Sequence, residues 1–169
     1  MLKRLKEWVN QGGRLISMGE SIASLDGEGG FKITSKVKEK DSVAITMVPH
    51  ENLEREKMKN DITGAIFKTR VDATHPLAFG YKDTYFSLKL GINTYDYLEN
   101  GTVAYISKDT IPVAGFAGNE AQKKMGKSLV FGVEEHGKGQ IVYMVDNPLF
   151  RGFWENGKLF FVNAIFMSK

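Results

Sequence analysis

Asp146-Asn147-Pro148-Leu149-Phe150-Arg151-Gly152-Phe153-Trp154, followed by Gly157-Lys158-Leu159-Phe160-Phe161-Val162-Asn163-Ala164-Ile165-Phe166, is the stretch that decides the fold class. Residues 140–145 before it read as an apolar strand. The polar turn breaks that strand, and a helix follows that is apolar on nearly every side. Such a helix has no solvent face of its own and needs cover on more than one side. Strand, turn and covered helix in this order point to an α/β sheet.

The same rhythm opens the chain. Leu2, Leu5, Trp8 and Val9 form a helical stripe opposite Lys3, Arg4, Lys6 and Glu7. Gly12-Gly13 stops that helix. Residues 14–18 then read as a short buried strand, Gly19 ends it, and residues 20–25 begin a second helical segment. Residues 26–30 are a glycine-rich loop. Residues 42–48 are a candidate strand, and 50–59 a charged, solvent-facing helix behind Pro49. Residues 65–72 look extended, and 74–80 a turn with a short helical piece.

The second half is richer in strands. Residues 85–90 alternate apolar and polar. Asn100-Gly101 predicts a hairpin between 95–98 and 103–106. A second hairpin joins 128–134 to 140–145 across His136-Gly137-Lys138-Gly139. No repeat or linker divides the 169 residues, so a single domain over 1–169 is expected.

Composition narrows the chemistry. Apolar residues make up 42% and charged residues 25%, ordinary for a globular protein. The net charge of +3 is spread rather than striped. Lys36, Lys38 and Lys40 suggest a wet strand face or loop, and Lys123, Lys124 and Lys127 lie near Glu120. A nucleic-acid footprint needs a denser basic stripe with aromatics, so no nucleic-acid partner is expected. No apolar run reaches the length of a membrane span, and the basic N-terminus has no apolar signal-peptide core. With no cysteine, thiolate nucleophiles, disulfides and cysteine-ligated zinc are excluded.

His50, His75 and His136 are far apart and open no metal-binding helix motif, so no metal or cofactor is expected in this chain. Gly126-Lys127-Ser128 resembles the tail of a phosphate loop, but the required first glycine is Ala121 and a strand follows. The turn after residues 14–18 is where a nucleophile elbow would sit. It holds Gly19, Glu20 and Ser21, and His75 is the nearest thing to a base. Capping of the following helix by Ser21 and Glu20 explains those residues more simply. Asp146, Asn147, Arg151 and Trp154 follow a strand, at the end of an α/β sheet where ligands gather. Asp146 and Asn147 are also turn formers, and Asp146 with Arg151 is a candidate ion pair.

Three blocks together resemble one known arrangement. They are residues 8–20, WVNQGGRLISMGE; residues 64–81, with GAIFK and VDATHPLAFGY; and residues 146–166, with DNPLFRGFW, KLF and NAIF. Their order resembles the C-terminal region of bacterial zinc carboxypeptidase-like proteins. That region belongs to the class I glutamine amidotransferase-like, flavodoxin-like α/β superfamily. The resemblance implies a sheet flanked by helices, with a cysteine in active amidotransferases where Gly19 stands here. It also implies that the peptidase zinc ligands lie in a separate upstream domain, of an exported parent protein. The strand–helix units that open the superfamily fold have no counterpart before residue 2, so 1–169 reads as the C-terminal portion of a larger protein.

The expectation is therefore a non-catalytic accessory domain of a zinc carboxypeptidase-like protein. Its partners would be the upstream peptidase domain and, to cover an exposed sheet edge, a second copy of itself. Two alternatives stand beside it: a hydrolase or amide-transfer enzyme using Ser21 or Glu20 with His75, and a small-ligand domain using Asp146, Asn147, Arg151 and Trp154.

Overall fold

A computed structural model describes residues 1–36 and 47–167. Helix α1 (Leu2–Asn10) leads through Gly12-Gly13 into β1 (Arg14–Met18), and a 3₁₀ helix covers Gly19–Leu25. A 3₁₀ turn at His50–Asn52 continues into α2 (Leu53–Lys59). Then come β2 (Gly64–Val71), a 3₁₀ turn at Pro76–Ala78, β3 (Thr84–Lys89), β4 (Thr102–Ile106) and β5 (Pro112–Phe116). Helix α3 (Asn119–Met125), the β6 (Ser128–His136) and β7 (Gly139–Met144) hairpin, and α4 (Glu155–Phe166) complete the order.

Among the described residues the strands form one open seven-stranded sheet in the order β1-β7-β6-β4-β2-β3, with β5 beside β2. Only β1 and β7 pair in parallel among the described residues, with Leu15 opposite Ile141 and Met18 opposite Met144. The other five pairings are antiparallel. The fold is thus mixed α/β and strand-rich, flanked by helices. The glycine hairpin at 136–139 reverses the chain too tightly for a parallel crossover, which needs a dozen residues or more.

Alternation along the strands splits the interior in two. One face packs Phe67, Tyr85, Phe131, Val142 and Met144 against Phe160 and Ala164 of α4 and Ala121 and Met125 of α3. Tyr81 stacks on Phe160 at 3.9 Å, and Phe131 lies 4.4 Å from the same ring. The other face packs Leu129, Ile141 and Tyr143 against Val9, Ile22, Leu25, Phe31 and Ile33.

Two expectations need correction, and one strand has no counterpart among them. Residues 95–98 form no strand against β4. Tyr95 and Leu98 are buried in the second core; Tyr95 makes an isolated bridge to Ser35, and its carbonyl accepts the Leu129 N–H of β6 at 2.9 Å. Burial of those side chains outweighs the local turn signal of Asn100-Gly101. Strand β5 was not expected, because Pro112, Gly115 and a register shift beside Ile66 and Phe67 hide its pattern. Helix α4 is covered on one side: Gly157, Phe160, Asn163 and Ala164 are buried, while Val162, Ile165 and Phe166 stay exposed. Lys36 sits in a bend outside any strand, one of the two settings expected, and its ammonium reaches the carbonyls of Lys124 and Gly126. Lys38, Lys40 and residues 42–46 of the expected strand lie outside the described residues. No helix among the described residues is long and apolar enough to cross a membrane.

Candidate functional site

The carboxyl ends of the parallel pair β1 and β7 open onto a cleft of about 330 Å³. Met18, Gly19 and Glu20 line it from β1, Val145, Asp146 and Asn147 from β7, and Leu90, Gly91 and Asn93 from the segment after β3. Gly19 turns the chain at φ +59, the left-handed region that glycine enters without a Cβ penalty. No atom lies within 4 Å of where a Cβ would stand, so the apex of this turn faces open space. Beside it, the Asn93 side-chain amide donates to the Glu20 carboxylate at 3.0 Å.

Asp146 is held from beneath. Its Oδ1 accepts from the Lys89 ammonium at 2.9 Å and its Oδ2 from the Ser87 hydroxyl at 2.5 Å. Lys89 also donates to the Asn93 carbonyl at 3.3 Å. The alternation of β3 turns Tyr85, Ser87 and Lys89 inward together, and Lys89 is only 1% exposed. A buried ammonium requires such a partner, because an unpaired charge in the interior is costly. Burial, reinforced by the Asp146 carboxylate, pushes the Tyr85 phenol up.

The remaining candidates separate. Asn147 accepts the Leu149 N–H at 2.9 Å, which closes the turn and leaves its side chain at the cleft rim. Arg151 does not pair with Asp146. It sits at φ +49 with its guanidinium 5.1 Å from the Phe150 ring, because Lys89 already occupies the carboxylate from inside. Trp154 lies away from the cleft and donates its indole N–H to the Phe86 carbonyl at 3.2 Å. With Asn156 accepting the Phe86 N–H at 2.9 Å, it closes the outward edge of β3 as a neighbouring strand would.

Ser21 and His75 are not brought together. The Ser21 hydroxyl donates to the Met18 carbonyl at 2.9 Å, accepts the Met18 N–H at 3.0 Å and lies 2.8 Å from the Ser17 hydroxyl. It caps its own turn. His75 lies beyond the other end of the sheet, beside Glu134 and Gly101. The length of β7 separates the two, roughly 15–20 Å at strand rise. His75 Nδ1 accepts the Leu77 N–H at 3.1 Å, and burial lowers its pKa against the pull of Asp72. His50 and Glu51 sit on an exposed turn, and His136 stands 3.7 Å from Glu134. Among the described residues no group of three or more His, Asp or Glu side chains is arranged to hold a metal ion.

Ser87, Lys89 and Asn93 were missed from the sequence. The signal for Lys89 was available: a lysine on the apolar phase of an alternating strand needs a buried acid.

No family model and no curated protein matches the chain. Among solved structures, the cytoplasmic protein STM3548 from Salmonella typhimurium is similar in fold, with a TM-score of 0.50 and 15% identity over 99% of this chain and 60% of that one. The Salmonella typhimurium LT2 cytoplasmic protein STM1381 follows at TM-score 0.47 and 12% identity, again over 99% and 60%. A β-galactosidase from Bacillus circulans sp. alkalophilus reaches 0.47 and 10% over 99% of this chain and 20% of the enzyme. The chain thus spans about 60% of the length of the two Salmonella proteins. At this identity the first likeness speaks for the fold alone.

Proposed function

We propose that this chain is a non-catalytic accessory domain of amidotransferase-like type, of the kind carried by zinc carboxypeptidase-like proteins, and that its cleft binds a small polar molecule. The observation that carries the reading is the composition of the β1–β7 cleft. Its apex, where an amidotransferase would hold a thiol, is Gly19. The nearest hydroxyl, on Ser21, is spent on its own turn, with no imidazole in reach. What does converge there is recognition chemistry: the Glu20 and Asp146 carboxylates and the Asn93 and Asn147 side chains over an apolar floor of Met18, Leu90 and Val145. A few polar groups fixed above apolar lining is how small-ligand sites are built. The buried Lys89 and Ser87 hold Asp146 in place before any ligand arrives, which lowers the ordering cost of binding.

A thermal-shift screen of polyols, amino acids and small amines tests this. A ligand present at a hundred times its Kd stabilises by about 2.7 kcal/mol, which raises the Tm of a chain this size by about 5–11 °C. Asn93→Ala, a rim substitution outside the Lys89–Asp146 pair, is expected to abolish the shift. The reading fails if no compound shifts the Tm, if the chain binds zinc near one equivalent, or if it hydrolyses glutamine or peptide amides.

A further inference from the structure

The second core covers only half of its side of the sheet. Helix α1, the 3₁₀ helix at Gly19–Leu25 and residues 31–33 lie over β1, β7 and β6. The register carries the same face on through Tyr105 and Arg70 to Lys68, Ile66, Phe86 and Leu88. Tyr97 packs edge-on against Tyr105 at 5.2 Å, and beyond it Arg70, Lys68 and Phe86 stay exposed. Ile66, Phe86, Val113, Phe153 and Trp154 line an open hollow of about 510 Å³, together with Asn156 and with Glu155, whose carboxylate is paired with Lys158. Val113 is 56% and Phe153 59% exposed. Lys68 stands on the same face, opposite Phe86, and has no ion-pair partner among the described residues. Strand addition at the β3 edge is blocked at Phe86 by Trp154 and Asn156. An occupant must therefore lie on the face, and a helix is the usual cover for such a sheet.

The chain carries a surface of the complementary kind. Helix α2 buries none of its residues. Met58 is 57% exposed, and Glu51, Glu54 and Met58 fall on one stripe at positions i, i+3 and i+7. Glu54 likewise has no ion-pair partner among the described residues. The C-terminal turn of the helix packs against the segment just past β5, where a Cβ on Gly118 would stand 2.2 Å from the Met58 carbonyl.

We propose that this face is a self-association surface, occupied by α2 of a second copy of the chain. Met58 seats among the aromatic walls of the hollow, and the acidic stripe meets Lys68. The flexible thioether suits a shallow aromatic hollow, where sulfur–ring contacts add to burial. The opposite charges of Lys68 and Glu54 select the direction in which the helix lies. The surface is separate from the β1–β7 cleft and does not rest on its reading.

Sedimentation velocity over a concentration series tests the proposal on the intact chain. The expected result is reversible growth from the 18.9 kDa monomer toward larger species. Val113→Glu and Met58→Glu, both at exposed positions, should each raise the dissociation constant at least about tenfold, equal to 1.4 kcal/mol. Lys68→Glu and Glu54→Lys should each weaken association, and the two together should restore it. A chain that stays monomeric at every concentration overturns the proposal. So does association that Val113→Glu and Met58→Glu leave intact, or a charge swap that fails to restore it while far-UV circular dichroism stays native.

Discussion

Replacing Lys89 with methionine keeps the volume of a fully buried side chain and removes only its charge and donors. The Asp146 carboxylate then keeps the Ser87 hydroxyl but loses its counter-ion, with its side chain only 11% exposed. Breaking a buried pair by removing one partner costs about 3–5 kcal/mol. The Ser87 bond and the cleft-facing side of Asp146 place this case near the lower end, at about 3 kcal/mol. That is a large fraction of the 5–15 kcal/mol over which domains are stable, and lowers the Tm by about 6–12 °C. Urea unfolding followed by tryptophan fluorescence and far-UV circular dichroism measures it. Asp146→Asn in the Lys89→Met background should recover part of the loss, because no unpaired charge then remains. A loss below about 1 kcal/mol, or single effects that simply add in the double variant, would refute a buried, coupled pair.

The other predictions concern the turn, edge and cap residues. His75 accepts the Leu77 N–H through a ring nitrogen that must be unprotonated, and its pKa is lowered by burial. Its contribution is therefore present above the ordinary histidine pKa of about 6.5 and is lost as pH falls through the lowered folded value. His75→Asn, whose side-chain oxygen can take the same bond, should flatten that part of the stability–pH curve in acid titrations. Trp154→Phe removes the N–H that closes the β3 edge. It should cost about 1 kcal/mol and speed aggregation, read by light scattering against the parent chain. Ser21→Ala should cost about 0.5–2 kcal/mol as a lost cap. It should leave any ligand-induced Tm shift at the cleft unchanged.

Much of the fold was legible because its elements are local. The stripe of Leu2, Leu5 and Val9 before Gly12-Gly13 gives α1, the extended look of 65–72 and the alternation in 85–90 give β2 and β3, and the glycine hairpin at 136–139 joins β6 to β7. The failures came where distant contacts override local signals. Residues 95–98 have the look of a hairpin arm, yet Tyr95 and Leu98 are claimed by the second core. Strand β5 is recognisable only through its pairing with β2. The same holds for the site. Gly19, Glu20, Asp146 and Asn147 were visible as turn residues after strands, and they share one cleft. Their organising partners Ser87 and Lys89 are 59 and 57 residues from Asp146 along the chain, so no spacing rule links them. Trp154, read beside Asp146 because it is near in sequence, turned out to serve an edge strand instead.

A two-dimensional amide NMR titration with a set of small polyols, amines and amino acids tests the non-catalytic cleft most directly. The expected spectra show saturable shifts at Gly19, Glu20, Gly91, Asn93 and Asn147, while the added compound remains chemically unchanged. Shifts centred on His75 at the opposite end of the sheet, or steady conversion of the compound during the titration, would contradict it.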